Sequence, residues 1–210
     1  MARPFVDRFR TVIEPLFDRR FTESDGIPEA ELDTIPARSG YELPVALHDF
    51  YLVLGNFHPI LDSHHRFYRP DNLTRMDGKL VFCEENQVVL YWAVEEDQGW
   101  RTDPPVFQGI NNDTVEWYVQ ESRASDFLVS MIYWQALDGG LPHFRSADAP
   151  ASTGQAASAW PLVWQEDDCQ VFSRGSSLFC LTRQAAGFEV RAAGLTESDL
   201  QETGRVLGLW

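Results

Sequence analysis

Carboxylate side chains form the most frequent clusters in this sequence that could take part in catalysis or metal binding. Three clusters occur, at Glu84-Glu85, Glu95-Glu96-Asp97 and Glu166-Asp167-Asp168. Paired carboxylates can transfer protons or bind a metal ion only if their oxygens converge. Successive side chains of a strand point to opposite faces, so Glu84-Glu85 is interpreted as the end of a hairpin rather than as an acid/base pair. The other two clusters fit either solvated loops or an anionic docking surface.

Histidines form a second group of residues that could bind a metal ion. His58, His64 and His65 lie in one segment with Asp62, and His48 precedes them. Imidazole and carboxylate are metal ligands, but adjacent histidines seldom bind one ion with good geometry, and the HExxH pattern is absent. The sequence therefore predicts solvated histidines and no metal site.

The sequence carries no recognisable motif for nucleophilic catalysis or phosphate binding. Ser176-Ser177 follows Gly175, but GxSxG, GxxxxGK[ST] and strand-linked GxGxxG are all absent. Cys83 lies among apolar residues and is predicted to be buried and inert. Three cysteines without a CxxC pair argue against a disulfide scaffold or a zinc ribbon. We expect no catalytic residues and no cofactor.

Charge limits the classes of partner. The 210 residues include 17 Lys or Arg and 32 Asp or Glu, giving a net charge of −15. Nucleic-acid binding requires cations that neutralise phosphates, so the acidic excess disfavours it and favours a basic protein partner. We find neither a signal-peptide core nor a run of about 18 apolar residues, and we expect a cytoplasmic protein with reduced thiols and no membrane contact.

Helical periodicity dominates the N-terminal part of the chain. Apolar residues recur at helical spacing from Phe5 to Phe17, where Pro15 is predicted to kink or end the helix near Glu14. A short helix at 27–32 is predicted to end at Pro36. A stronger helix is predicted from Leu43 to Gly55, followed by a long loop over 56–77.

The period then changes to that of strands. Four segments are predicted as strands: the two strands of a hairpin, a short edge strand that contains two prolines, and a further strand. They are Leu80–Cys83, Val88–Val94, Asp103–Val106 and Thr114–Tyr118. Ser125 is predicted to cap a helix with apolar positions to Leu137, ended by Asp138-Gly139-Gly140.

The C-terminal part predicts a separate group of strands. The Ala/Ser/Gly/Pro-rich segment 145–158 is predicted to be a linker or long loop. Short strands between 162 and 190 indicate a meander, and Thr196–Asp199 resembles a capping box before a helix to about Leu207. We therefore predict an α+β domain over 1–144 and a strand-and-helix extension over 159–210, with its packing on the same core left open.

Several segments resemble a known family when taken in order. They are Leu43-Pro44 with Phe50-Tyr51 and Gly55-Asn56, then Leu80-Val81-Phe82-Cys83-Glu84-Glu85-Asn86-Gln87 with Trp92, then Asp103-Pro104-Pro105-Val106, Trp117 and Ser125-Asp126-Phe127-Leu128. Together they resemble the SUKH superfamily of Smi–Knr-type domains over roughly 27–142. The Glu-Asn-Gln step between two apolar strands is the most specific piece. Pro36 and everything after Arg145 depart from the family pattern.

The resemblance implies a fold and a type of function. The implied fold is α+β, with an antiparallel sheet edged by helices. Many bacterial members of the superfamily are immunity proteins that bind and neutralise a polymorphic toxin, often a nuclease. The family has no catalytic residue set to transfer to this chain. Fungal members imply an alternative, an intracellular regulatory or scaffold protein that binds host proteins without any toxin.

Charge and resemblance together predict a non-catalytic protein-binding module, an immunity protein that neutralises a basic toxin such as a nuclease. The predicted partner-binding residues are Glu84, Glu85, Glu95, Glu96, Asp97 and Trp100. Trp92, Trp117 and Trp134 are predicted to be core residues. Trp100 lies in an acidic loop and fits either an interface anchor or the core.

Overall fold

The computed structural model describes residues 3–210, which divide into two units. The first contains the described residues up to 11 together with 21–131, and the second contains 12–20 together with 132–210. Each unit has one antiparallel sheet, and helices accompany both. The predicted α+β class is confirmed. The division at 131/132 differs from the expected boundary near residue 145.

Five of the eight helices described lie where the sequence predicted a helix, whereas those at 35–39, 58–61 and 153–157 were not predicted as separate helices. The bounds of the eight are α1 Val6–Leu16, α2 Glu29–Leu32, α3 Ile35–Ser39, α4 Val45–Leu54, α5 His58–Leu61, α6 Ala124–Gln135, α7 Thr153–Ala157 and α8 Glu197–Leu207. Pro15 is accommodated in the last turn of α1, and Asp18 follows in the left-handed region at φ 45°. Pro36 does not end α2 as predicted. It lies in the first turn of α3, where its missing N–H costs no hydrogen bond.

Six strands form the sheet of the first unit. They are β1 Arg66–Phe67, β2 Thr74–Met76, β3 Lys79–Glu84, β4 Leu90–Glu95, β5 Val106–Asn111 and β6 Val115–Glu121. Their order is β1-β3-β4-β5-β6, and β2 also pairs with β3. The predicted β3–β4 hairpin is confirmed, but β5 is an inner strand rather than an edge. Pro104 and Pro105 precede β5, so its ladder loses no donor.

Aromatic residues of sheet and helices form the core of the first unit. Phe82 and Trp92 are buried, and their ring centroids lie 5.9 and 6.0 Å from that of Phe127 on α6. Ser125 does not cap α6 as predicted. Asp103 does so, because its carboxylate accepts both the backbone N–H and the hydroxyl of Ser125 at 2.7 Å.

A second sheet accounts for most of the other unit. Its strands are β7 His143–Pro150, β8 Leu162–Glu166, β9 Cys169–Arg174, β10 Ser177–Gln184 and β11 Gly187–Gly194, in the order β7-β11-β10-β9-β8. The predicted meander is thus present as β8 to β11. Phe179, Leu181 and Val190 are fully buried in the core that this sheet forms with α8.

The predicted linker over 145–158 is wrong. This segment contains most of β7, which pairs with β11 along its whole length, and then α7. Small residues are needed here for packing rather than for flexibility. Gly187 has φ 157°, and a Cβ on it would lie 2.2 Å from the carbonyl oxygen of Ala149, so the two strands approach closely only because a glycine stands there.

The predicted capping box opens α8. The Thr196 hydroxyl accepts the backbone N–H of Asp199 at 3.2 Å, and the Asp199 carboxylate accepts the N–H of Thr196 at 2.8 Å. We expect Thr196→Ala to lower the free energy of unfolding by about 1 kcal/mol, because the backbone N–H of Asp199 loses its acceptor and the Asp199 carboxylate loses the hydroxyl that donates to it. Urea denaturation measures this. Thr114→Ala, at an exposed position outside the helices, is the control, and equal stability of the two variants would contradict the role of the box.

Candidate functional site

The acidic segment that follows β4 is built by a tight turn. β4 ends at Glu95, a single 3₁₀ turn covers Glu96–Gln98, and Gly99 follows. A Cβ on Gly99 would lie 2.4 Å from the backbone oxygen of Glu42. Only glycine allows this approach, and it brings Glu42, more than fifty positions earlier in the chain, beside the segment.

A groove of about 350 Å³ lies along this segment. Its lining residues are Pro36, Gly40, Tyr41, Glu42, Glu96, Asp97, Gly99 and Trp100. The groove thus combines two aromatic rings with three carboxylates, and we call it the Trp100 groove. Such a lining suits a cationic side chain, because ring faces and carboxylates both attract positive charge.

Trp100 is the most exposed large hydrophobic side chain described. Its side chain is 74% exposed, whereas Trp92 is 6% exposed. The core interpretation of Trp100 is therefore wrong, and the alternative of an interface anchor stays a prediction. An indole left in water among acidic residues is available for contact with a partner.

One wall of the Trp100 groove already holds a guanidinium. Arg75 donates to Glu96 Oε1 at 2.6 Å and to the Ser39 carbonyl oxygen at 2.9 Å, and its Cζ lies 5.1 Å from the centroid of the Tyr41 ring. Glu96 is therefore neutralised within the unit. In residues 3–210 no ion pair involves Glu42 or Asp97, so their negative charges face the groove uncompensated.

Glu84 and Glu85 lie at the opposite end of the β3–β4 hairpin. Lys79 pairs with Glu95 and Glu84 pairs with Tyr91 across the two strands, so the two acidic groups are separated by about 17 Å at 3.3 Å per residue. The six residues predicted to bind a partner therefore fall into two separate groups. The Glu95–Trp100 segment is one surface, and Glu84-Glu85 lies apart from it.

The carboxylates of Glu84 and Glu85 have structural partners. Glu84 is buried, pairs with Arg66 and accepts the hydroxyl of Tyr68. Burial, together with this hydrogen bond, raises the pKa of Tyr68, which therefore stays protonated. The carboxylate of Glu85 accepts the backbone N–H of Gln87 at 2.8 Å and closes the turn. The hairpin-end interpretation is confirmed for both residues.

The histidines are dispersed rather than gathered around one point. His48 is buried beside Arg3, whose guanidinium lies 2.9 Å from its Nδ1, and burial lowers the pKa of His48. His65 is buried against Trp92 with centroids 4.9 Å apart. The prediction of solvated histidines is therefore wrong for His48 and His65, whereas His58 is exposed. Within residues 3–210 no three His, Cys, Asp or Glu side chains are placed to hold a metal ion.

The buried His65 makes an acid-sensitive contribution to stability. Burial lowers its pKa to about 4, so the unfolded chain binds the proton near pH 6.5 while the folded chain does not. The stabilisation is therefore complete above pH 6.5 and is lost as the pH falls from 6.5 towards 4, by up to about 3 kcal/mol. Denaturant titrations between pH 6.5 and 4 should show that the free energy of unfolding of His65→Phe falls less steeply with pH than that of the wild type. The exposed His58→Phe is the control, and a wild-type slope in His65→Phe would contradict the assignment.

Two cysteines that are distant in sequence come together in the second sheet. Cys169 pairs with Thr182, and Cys180 pairs with Val171 and Arg191, which places both thiols on one face. Hydrogen bonding with Cys169 lowers the pKa of Cys180 to about 7. Sequence spacing missed this pair because only the strand register brings them together. Cys83 is buried as predicted, and burial raises its pKa.

Comparison with protein-family models, with curated proteins and with solved structures finds no match to this chain. The described residues include no helix long and apolar enough to cross a lipid bilayer.

Proposed function

We propose that this chain is a non-catalytic protein-binding module, an immunity protein that neutralises a cognate basic toxin such as a nuclease. The observation that carries the proposal is the 74% exposure of Trp100 beside the uncompensated carboxylates of Glu42 and Asp97. An exposed indole with an acidic border has the composition of an interface anchor.

The charge of the chain supports a basic partner. A nuclease must be cationic where it grips phosphates, and a protein of net charge −15 is attracted to that surface. Such complementarity chiefly raises the association rate, to about 10⁸–10⁹ M⁻¹s⁻¹ at low salt. The resemblance to SUKH immunity proteins supports the same role. In this role the protein covers the cationic surface of the toxin, and basic side chains of the toxin enter the Trp100 groove.

The test is co-expression with a basic toxin from the same host, and the product of the adjacent open reading frame is the first candidate. We expect Glu95→Lys/Asp97→Lys to weaken protection and to lower the association rate at low salt at least tenfold, because the electrostatic attraction is reversed. Glu96 is left unchanged because it holds Arg75. Raising the salt should slow association of the wild type steeply and that of the variant little.

Glu166→Lys/Asp168→Lys is the matched control. It makes the same change in total charge at two exposed positions of the second unit. If both double variants slow association equally, net charge rather than the Trp100 groove governs binding. If neither changes association or protection, the proposed mechanism is wrong. Stable binding to host proteins in a genome that encodes no such toxin would favour the alternative, a regulatory or scaffold protein.

A further inference from the structure

Strand β6 is an edge of the first sheet. It is the last strand in the order β1-β3-β4-β5-β6, so one side of its backbone pairs with β5, and on the other side residues 3–210 supply no strand neighbour. Edge strands are usually blunted by lysine, proline or a bulge in their own chain. The seven residues Val115–Glu121 contain no lysine or proline, but Gln120 is an extra residue between the pairs Phe107–Val119 and Val106–Glu121, and this bulge interrupts the edge near its C-terminal end. Over 115–119, before the bulge, alternate N–H and C=O groups point outward along a strand of strongly β-forming residues.

Exposed apolar side chains lie along this edge. Tyr118 is 52% exposed and Val119 is 64% exposed. Trp117 lies across Gly109 of the neighbouring strand, where a Cβ would meet the indole at 2.8 Å. Val119 pairs with Phe107 on the same face, so the edge continues into an apolar platform formed by Phe107, Trp117 and Val119.

Charge at the edge selects the kind of strand that can join it. Glu116 shares the face of Tyr118, and Glu121 ends the strand. The ring faces of the platform already attract a cation, because the Lys79 ammonium lies 4.3 Å from the centroid of Phe107 and 5.7 Å from that of Trp117. A segment with cationic side chains of one parity therefore meets opposite charge on the Glu116 face, whereas the platform face already holds the Lys79 ammonium and suits apolar side chains.

We propose that the β6 edge binds an extended, basic segment of a protein partner as an added antiparallel or parallel strand. Side chains of one parity in that segment contact Trp117 and Val119 and are apolar. Side chains of the other parity lie beside Glu116 and are Arg or Lys. The inference rests on the proposed function for the charge of the partner, and it adds a second, backbone-mediated contact surface to the Trp100 groove.

A second copy of this chain is the less favoured occupant. Pairing of β6 with its equivalent would bring together two chains of net charge −15, with Glu116 and Glu121 of both copies along the shared edge. Like charges across neighbouring strands are destabilising. Charge complementarity therefore favours a basic segment.

The probe is the nonapeptide acetyl-Arg-Val-Arg-Val-Arg-Val-Arg-Val-Arg-amide, added to the full chain. We expect hydrogen exchange of the backbone amides in 115–121 to slow at least tenfold at saturating peptide, since outward N–H groups become bonded. The same peptide with alternate N-methylated amides keeps charge and side chains but cannot complete the ladder, and we expect calorimetry to give at least tenfold weaker binding. Equal binding of the two peptides, or unchanged exchange in 115–121, would overturn the proposal.

Variants on both sides of the contact complete the test. Val119→Lys should weaken peptide binding at least tenfold, whereas Val89→Lys, at another exposed valine, should not. An Arg-Ser peptide that binds as tightly as the Arg-Val peptide would refute the apolar half of the proposal. A protein dimer in sedimentation that protects 115–121 without peptide, and that Val119→Lys dissociates, would assign the edge to a second copy instead.

The outcome is separable from that of the proposed function. If the Arg-Val peptide protects β6 in the Glu95→Lys/Asp97→Lys variant as well, the edge acts independently of the Trp100 groove, as proposed. If toxin binding is confirmed and neither toxin nor peptide protects 115–121, only the β6 inference fails. If the peptide binds at β6 and no toxin is neutralised, the edge site stands and the immunity function fails.

Discussion

Trp100→Ala is expected to weaken binding of the basic partner at least 30-fold, which is about 2 kcal/mol, without lowering the stability of the fold. The binding loss follows from removal of a large, rigid ring that lines an acidic groove, because aromatic anchors carry much of the affinity of an interface. Stability should change by no more than about 0.5 kcal/mol, because the side chain is 74% exposed and has little packing to lose. Calorimetric titration and urea denaturation measure the two effects.

The specificity of this prediction can be checked with two further variants. Trp100→Phe keeps a ring face and should retain most of the affinity. Phe144→Ala removes another exposed ring, 45% exposed on β7 in the second unit, and should leave binding unchanged. Wild-type affinity in Trp100→Ala would show that the partner does not use the Trp100 groove.

Arg191→Ala is expected to destabilise the second unit by about 3–5 kcal/mol. The guanidinium Nη1 donates to both carboxylate oxygens of Asp138, at 2.8 and 2.9 Å, and Cζ lies 4.6 Å from the centroid of the Trp134 ring. The Asp138 side chain is 10% exposed, so loss of Arg191 strands a buried negative charge. The loss of ring contact adds to this cost.

A double-mutant cycle separates these two contributions. In the Asp138→Asn background the stranded charge is absent, so Arg191→Ala should cost markedly less in urea denaturation. The control is Arg205→Ala, because Arg205 pairs with Glu202 on an exposed helix surface, where an ion pair contributes about 0.5 kcal/mol or less. Equal costs for Arg191→Ala and Arg205→Ala would contradict the structural role of the Asp138–Arg191 pair.

Local signals in the sequence were sufficient for elements that depend on their own residues. The apolar period predicted α4 and α6, the alternation predicted the β3–β4 hairpin, and the Thr196–Asp199 box predicted the start of α8. Elements that depend on distant partners were missed. Residues 145–158 have the composition of a linker, and only pairing with β11 makes residues 145–150 part of a sheet. Composition cannot reveal that partner.

The candidate site was predictable in part for the same reason. The acidic run 95–97 and the nearby Trp100 are visible in the sequence. Tyr41 and Glu42 are not, because Gly99 brings them into the groove from a remote segment. The sequence left open whether Glu84-Glu85 and Glu95–Asp97 share a face, and the hairpin holds them at opposite ends. Burial of His48 and His65 likewise depends on neighbours that only the fold supplies.

During synthesis, β7 leaves the ribosome well before β11, the strand with which it pairs. The first strand of the second sheet is complete at residue 150, but its partner is not complete until residue 194. At 5–20 residues per second the ribosome needs roughly 2–9 s to deliver that partner. Throughout this interval β7 has no native neighbour in its own sheet. A nascent chain paused in this window would expose Phe144 and an unpaired strand to chaperones or to neighbouring chains.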